Sequence, residues 1–186
     1  AEWSATHPGG ATPTDLADDL EAMGPTYVKL GQVLASRPDI LPLPYINALS
    51  RLHDGVKPFP FAEVEEIVST ELGVRLSKAF SHFEPVPLAA ASLGQVHAAT
   101  LRDGRRVVVK IQRPGIDKQI AEDMEVFAQI AEWLDKHTEF GRRYRLQSVI
   151  EEFRLVLKQE LNYELEANNL RTMARNLAGF QRIFVP

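Results

Sequence analysis

The sequence predicts an α+β fold, with helices towards both ends and a small antiparallel sheet between them. Three observations carry this. Apolar residues recur at helical spacing up to residue 72, alternate with a period of two between about 80 and 112, and return to helical spacing from 116. Within the alternating stretch lies Asp103-Gly104, a hairpin turn signal. The chain has 186 residues, 45% of them apolar, which suits one domain with an appendage and a core of useful size.

Residues 1–12, bearing glycine and proline, are expected to be loose. From Thr14, the spacing of Leu16, Leu20 and Met23 reads as a short helix ending at Gly24. Pro25 suits the first turn of a second helix over 25–37, because its ring pre-sets φ where an N–H has no partner anyway. Pro38, Pro42 and Pro44 interrupt the chain. Helices then follow at 45–53 and at 61–72, the latter with Phe61, Val64, Ile67, Val68 and Leu72 on one stripe. Phe80 to Pro87 is extended, and strands follow over 95–101 and 106–112. Pro114 ends the second of these, having no N–H to give a ladder. Ile116, Ile120, Met124, Phe127, Ile130 and Leu134 mark one long helix over 116–137, and a second covers 147–177. Ile183 to Pro186 reads as a strand beginning. By motif, the chain divides into a helical extension, 1–72, and a small lobe, 73–186.

Composition excludes several functions. A net charge of −4 leaves no basic footprint for nucleic acid. The absence of cysteine rules out disulfide and thiolate chemistry and favours a reducing compartment. No apolar run approaches the length of a membrane span, and Ala1-Glu2-Trp3 does not open a signal peptide. The five histidines, among them His97, show no metal-ligand spacing, so no metal site is expected from this chain.

Three segments bear chemistry. The first is Ala89-Ala90-Ala91-Ser92-Leu93-Gly94-Gln95-Val96, followed 14 residues after Val96 by Lys110 at the end of Val107-Val108-Val109. A protein kinase covers its nucleotide phosphates with G-x-G-x-x-G-x-V and places a lysine on the strand beyond. Here Gly94 and Val96 hold the third-glycine and valine places, with Ala89 and Ala91 where the first two glycines would stand. Small residues admit backbone N–H groups to phosphate oxygens, and the lysine adds positive charge. Alanine forfeits easy access to φ > 0, so this loop should be stiffer than a glycine one. The bland alternative is a small-residue loop packed under a helix beside a surface lysine.

The second is Lys29-Leu30-Gly31-Gln32. Lys29 and Gln32 share a helix face. Gly31 costs about 1 kcal/mol inside a helix, so something should approach its backbone closely. An ordinary surface lysine remains the simpler reading of these residues alone. The third is Glu160 to Asn168 on the last long helix. At about 100° per residue Glu160 and Glu166 project roughly 120° apart, while Asn162 and Glu166 share a face. A solvated acidic face would explain these residues equally.

Together the segments resemble the UbiB (AarF/ABC-one) family of atypical protein-kinase-like proteins. The matching text is GPTYVKLGQVLASRPDILP at 24–42, AAASLGQVHAA at 89–99, VVVKIQRPG at 107–115 and QELNYELEANN at 159–169. The resemblance spans about residues 20 to 186. It implies a protein-kinase-like small lobe with an added N-terminal helical extension, and ATP or ADP with Mg²⁺ as the bound nucleotide. It implies that the alanine-rich loop, including Ala89, Ala90, Ala91, Ser92, Gly94 and Val96, covers the nucleotide. Lys110 would contact phosphate, Glu166 would be its helix partner, and Lys29 and Gln32 would face the pocket. Glu160 opens the family's E-x-D motif, in which this sequence has Asn162 for aspartate.

The family's catalytic aspartate and asparagine and its D-F-G metal ligand fall beyond residue 186, so this stretch alone is expected to be inactive. The longer protein would be an atypical kinase or ATPase linked to ubiquinone or other isoprenoid-lipid metabolism. It would be cytoplasmic, or in the mitochondrial matrix of a eukaryote, with a membrane surface and an isoprenoid or quinone-precursor lipid as possible partners. The rival readings are a non-catalytic nucleotide-sensing or lipid-binding module, and a small-molecule kinase of the aminoglycoside-phosphotransferase type.

Overall fold

A computed structural model describes residues 12–53 and 56–185. They gather into two compact units, one running to Asp123 and the other from Met124. The expected loose stretch at 1–12 lies outside the described residues except for Thr12.

The first unit opens with helices. Thr12 and Asp15 form a capping box that starts α1 (Pro13–Met23), the Thr12 hydroxyl accepting from Asp15 N–H and the Asp15 carboxylate accepting from Thr12 N–H. Gly24, at φ 111°, turns the chain directly into α2 (Pro25–Ala35). After the prolines come α3 (Leu43–Ser50) and a 3₁₀ turn (Arg51–His53). These helices bury Ala17, Leu20, Val28, Leu49 and Leu52 together. The close approach expected at Gly31 is real, and it is a packing contact: a Cβ there would run into Leu52 Cδ1, with Leu20 Cδ1 at 3.1 Å.

The sheet is antiparallel, as expected. α4 (Phe61–Leu72) and the short α5 (Leu76–Ala79) lead into β1 (Phe80–Phe83), β2 (Ala89–Ala90), β3 (Gly94–Leu101) and β4 (Arg106–Gln112). β3 is central: β1 and β2 pair with it at its two ends and β4 pairs along its length. Val64 and Val68 of α4 close the sheet's core with Phe59, Leu76, Phe80, Phe83, Ala99 and Ile111. By packing, α4 thus goes with the sheet.

The β3–β4 hairpin settles its register with a three-residue loop. Leu101 N–H bonds Arg105 O at 2.8 Å, Gly104 N–H bonds Leu101 O at 3.0 Å, and Gly104 takes φ 88°. Asp103 accepts from the Arg105 N–H and its guanidinium. A two-residue Asp103-Gly104 turn would instead pair Arg102 with Arg105 and, further along, Lys110 with His97. The observed register pairs Lys110 with Val96. A slip of one residue would exchange the two faces of the strand, so the loop length decides which face carries Lys110.

The helix α6 (Ile116–His137) has the expected bounds and passes through the boundary between the units. In the second unit its Met124, Phe127 and Ala131 are buried, as are Phe153 and Leu157 of α8 (Leu146–Leu161), with the Phe127 and Phe153 rings 6.3 Å apart. Between these helices α7 (Glu139–Tyr144) turns so tightly that a Cβ on Gly141 would strike the Leu134 backbone. Asp135 caps α8 by accepting from Leu146 N–H and Gln147 N–H.

Two expectations fail here. The single helix over 147–177 is two helices, α8 and α9 (Tyr163–Asn176), parted at Asn162 with φ −89° and ψ 82°. The Asn162 side chain accepts from Leu165 N–H at 2.8 Å, competing with the helical ladder and capping α9. Residues 183–185 form no strand, since no strand among the described residues pairs with them. No helix among the described residues is long and apolar enough to cross a membrane.

Candidate nucleotide site

β2 is the first part of the alanine-rich loop itself, drawn into the sheet. Ala89 pairs with Val96, and Val96 pairs with Lys110 on its other side. One row across the sheet therefore holds the loop's first alanine, its valine and the strand lysine, side chains on a common face. Ala91 N–H to Gly94 O, 2.7 Å, closes the turn between β2 and β3. Neither the alanines nor Gly94 has positive φ, the positive-φ glycines among the described residues being Gly24, Gly73, Gly104 and Gly115. The loop makes no use of the freedom that alanine gives up, which is why alanine fits it.

The sheet's two faces differ. Gln95, His97, Ala99 and Ile111 are buried on one, while Val108, 65% exposed, and Lys110, also exposed, lie on the other. Parity sets this division: Val107, Val109 and Ile111 turn to the core, and the alternate residues, Lys110 among them, turn away.

Beneath the row runs a buried polar chain. Gln95 takes Phe59 N–H on its Oε1 at 3.0 Å and donates to Phe59 O at 3.2 Å and to His97 Nε2 at 3.0 Å. His97 Nδ1 stands 2.8 Å from Glu84 O. A carbonyl accepts only, so Nδ1 carries the proton and Nε2 receives the Gln95 amide. This network fixes the loop's exit strand to the segment preceding α4. His97 thus packs within this network.

Arg113 secures the loop from the far end of β4. Its N–H bonds Leu93 O at 2.9 Å, its Nε bonds Ser92 O at 3.2 Å, and its Nη2 reaches Lys57 O at 3.0 Å. The guanidinium lies 5.5 Å over the Phe59 ring. Burial lowers its proton affinity, an effect Glu63 opposes. Sequence reasoning passed over Gln95 and Arg113. Both stand inside the motif text, but nothing in their spacing marks them as ties.

Lys29 and Gln32 are half-buried on α2. Gln32 donates to Leu52 O at 2.9 Å, so its amide ties α2 to the 3₁₀ turn. In the second unit the break at Asn162 reshapes the acidic segment. Tyr163 is pushed up to about 12 by burial first, then by Glu166 and Glu160, so both carboxylates bear on one phenol. On a continuous helix they would have diverged. Glu160, Asn162 and Glu166 are themselves exposed.

A family model described as the ABC1 atypical kinase-like domain matches residues 51–186. A probable protein kinase UbiB of Cellvibrio japonicus is 40% identical over 166 residues, covering 89% of this chain and 30% of that protein. Another of Marinobacter nauticus is 39% identical over 167 residues, 90% of this chain and 30% of that protein. The chain thus spans about a third of the length of these relatives. Among solved structures, the complex of Rv3197 with erythromycin, from Mycobacterium tuberculosis, has a TM-score of 0.57 and 33% identity, covering 84% of this chain and 40% of that one.

Proposed function

The chain belongs to the ABC1 family of atypical kinase-like domains, and we propose that it is the nucleotide-gripping part of such a kinase or ATPase. The observation that carries this is the Ala89–Val96–Lys110 row. It gives a bound nucleotide a backbone edge made of small residues and, one strand away, an ammonium on the same face. Phosphoryl transfer depends on positioning and charge neutralisation, and this row supplies one share of each. Lys110 meets phosphate. By the resemblance Glu166 is its helix partner, and Lys29 and Gln32 face the pocket from α2. Mg²⁺ is held mainly by residues that follow in the longer relatives. The whole protein's reaction is ATP hydrolysis or phosphoryl transfer in isoprenoid-lipid or ubiquinone metabolism, at a membrane surface.

Titration of the chain with ADP or ATP in the presence of Mg²⁺ tests the reading. Binding is expected without turnover. Lys110→Ala should weaken it at least tenfold and Glu166→Gln severalfold, with Glu164→Gln near neutral. Equal losses for the two glutamates, or none for Lys110→Ala, would overturn the assignment.

A further inference from the structure

On the helical side of the first unit lies a cleft of about 440 Å³, framed by α1, the start of α2, the 3₁₀ turn and the back of the alanine-rich loop. Its size falls within the range of small-molecule sites. Val28 and Leu52 give it an apolar floor. Its charges are sorted. Arg113 holds the Ser92 and Lys57 carbonyls, so these three lining residues stand together, while Asp18 and Glu21 are neighbours on α1. Asp18 is engaged by Arg51. Lys57, Arg113 and Glu21 have no ion-pair partner among the described residues.

Arg113 spends Nε–H and one Nη2–H on carbonyls. A guanidinium has five N–H groups, so three remain to be used. Ser92 is only 4% exposed, and among the described residues no hydrogen bond uses its hydroxyl. A partly desolvated guanidinium with N–H groups to spare, acted on by Glu63 but ion-paired to no carboxylate among the described residues, is an arrangement that a bound anion would complement. None of the row residues Ala89, Val96 and Lys110 lines this cleft, and Arg113 follows the end of β4. The cleft is therefore distinct from the face that carries the lysine row.

We propose that this cleft is a second binding site, for a small zwitterion whose phosphate or carboxylate sits on Arg113, Lys57 and the Ser92 hydroxyl and whose ammonium faces Glu21. Arg113 also holds the Ser92 and Leu93 carbonyls, so an occupant fixes the loop from behind and raises nucleotide affinity on the other face. A free metabolite or a lipid headgroup could each present this chemistry.

The test uses the chain itself with phosphoethanolamine, inorganic phosphate and ethanolamine as probes, followed by calorimetry and amide NMR. Phosphoethanolamine should bind at least tenfold more tightly than either half and shift the Ser92 amide. Lys57→Ala and Glu21→Gln should each weaken it about fivefold or more. Both positions are exposed, and unchanged melting would establish that the variants fold. Lys110→Ala, which disables the proposed nucleotide face, should leave it unchanged, so the two proposals fail separately. Vesicles containing phosphatidylethanolamine that also bind, with the same sensitivity to Lys57 and Glu21, would identify the headgroup as the source. Binding of phosphate as tight as that of phosphoethanolamine would mean an adventitious ion only. Loss with Lys110→Ala but not with Lys57→Ala would place the ligand on the nucleotide face. Either result overturns the proposal.

Discussion

Two amide side chains stand at the two places where candidate site residues gather, and they work differently. Gln95 is 2% exposed and closes three hydrogen bonds under the Ala89–Val96–Lys110 row. Asn162 is exposed and makes one local bond, to Leu165 N–H, between α8 and α9. The sheet thus positions its row from below, through groups that cannot reach water if the network opens. The helix break positions Glu160 and Glu166 by a cap that water can replace. One group of residues is therefore held rigidly and the other compliantly.

The contrast breaks most readily at Gln95. Gln95→Ala strands Phe59 N–H, Phe59 O and His97 Nε2 in the core, and an unsatisfied buried group costs about 1–3 kcal/mol. A loss of about 3 kcal/mol is expected, or a fall of roughly 6–12 °C in Tm for a chain of this size. A change below about 1 kcal/mol would mean that the network does not hold the loop.

Asn162→Ala should cost about 1 kcal/mol, the ordinary value of an N-cap. Asn162→Asp should stay within about 0.5 kcal/mol of the parent in chemical denaturation, since both residues cap well. A large gain for Asp would point to a charge partner that the cap does not explain.

Tyr163 sharpens the comparison by titration. Its phenol is pushed up to about 12, against about 10 in an unfolded chain. The folded pKa is the higher one, so the stabilisation is complete below about pH 10 and is lost as pH rises towards 12. The side chain is only partly buried, so solvent screening holds the effect to about 1 kcal/mol or less. Of the four tyrosines, Tyr27 is also raised, by burial and then by Asp123, so the test is made in a Tyr27→Phe background. There, absorbance near 295 nm should find one tyrosine that ionises late, and Tyr163→Phe should remove it. Survival of the late phase in that variant would refute the clustering of Glu160 and Glu166 about the ring.

The smallest effect on stability belongs to the row itself. Lys110→Ala should change melting by no more than about 0.5 kcal/mol, as expected of an exposed side chain. A loss as large as that of Gln95→Ala would erase the division between a face that holds the fold and a face left for chemistry.

The parts legible in the sequence are those set by near neighbours. Helix α4 was marked by its stripe, α6 by its period, and the hairpin by Asp103-Gly104. The Val96–Lys110 relation was legible as a separation, but its face depends on a loop of three residues rather than two, which the turn signal does not distinguish. The Asn162 break was hidden because α9 buries no residue, so no stripe had to stop or restart. The ties from Gln95 to Phe59 and from Arg113 to Lys57 span 36 and 56 positions. Contacts of that reach follow from the folded path alone.

The hairpin tip has a practical consequence. A Cβ at Gly104 would find no atom within 4 Å, and the tip is shaped by its own bonds between Leu101, Asp103 and Arg105. A side chain at Gly104 itself would be strained at φ 88°, so a short labelled peptide inserted at the tip, with the glycine kept, would ride on the strand that carries Lys110. The lobe therefore offers a built-in mounting point, close in sequence to the lysine, from which movements of that strand could be followed by energy transfer in the full-length protein.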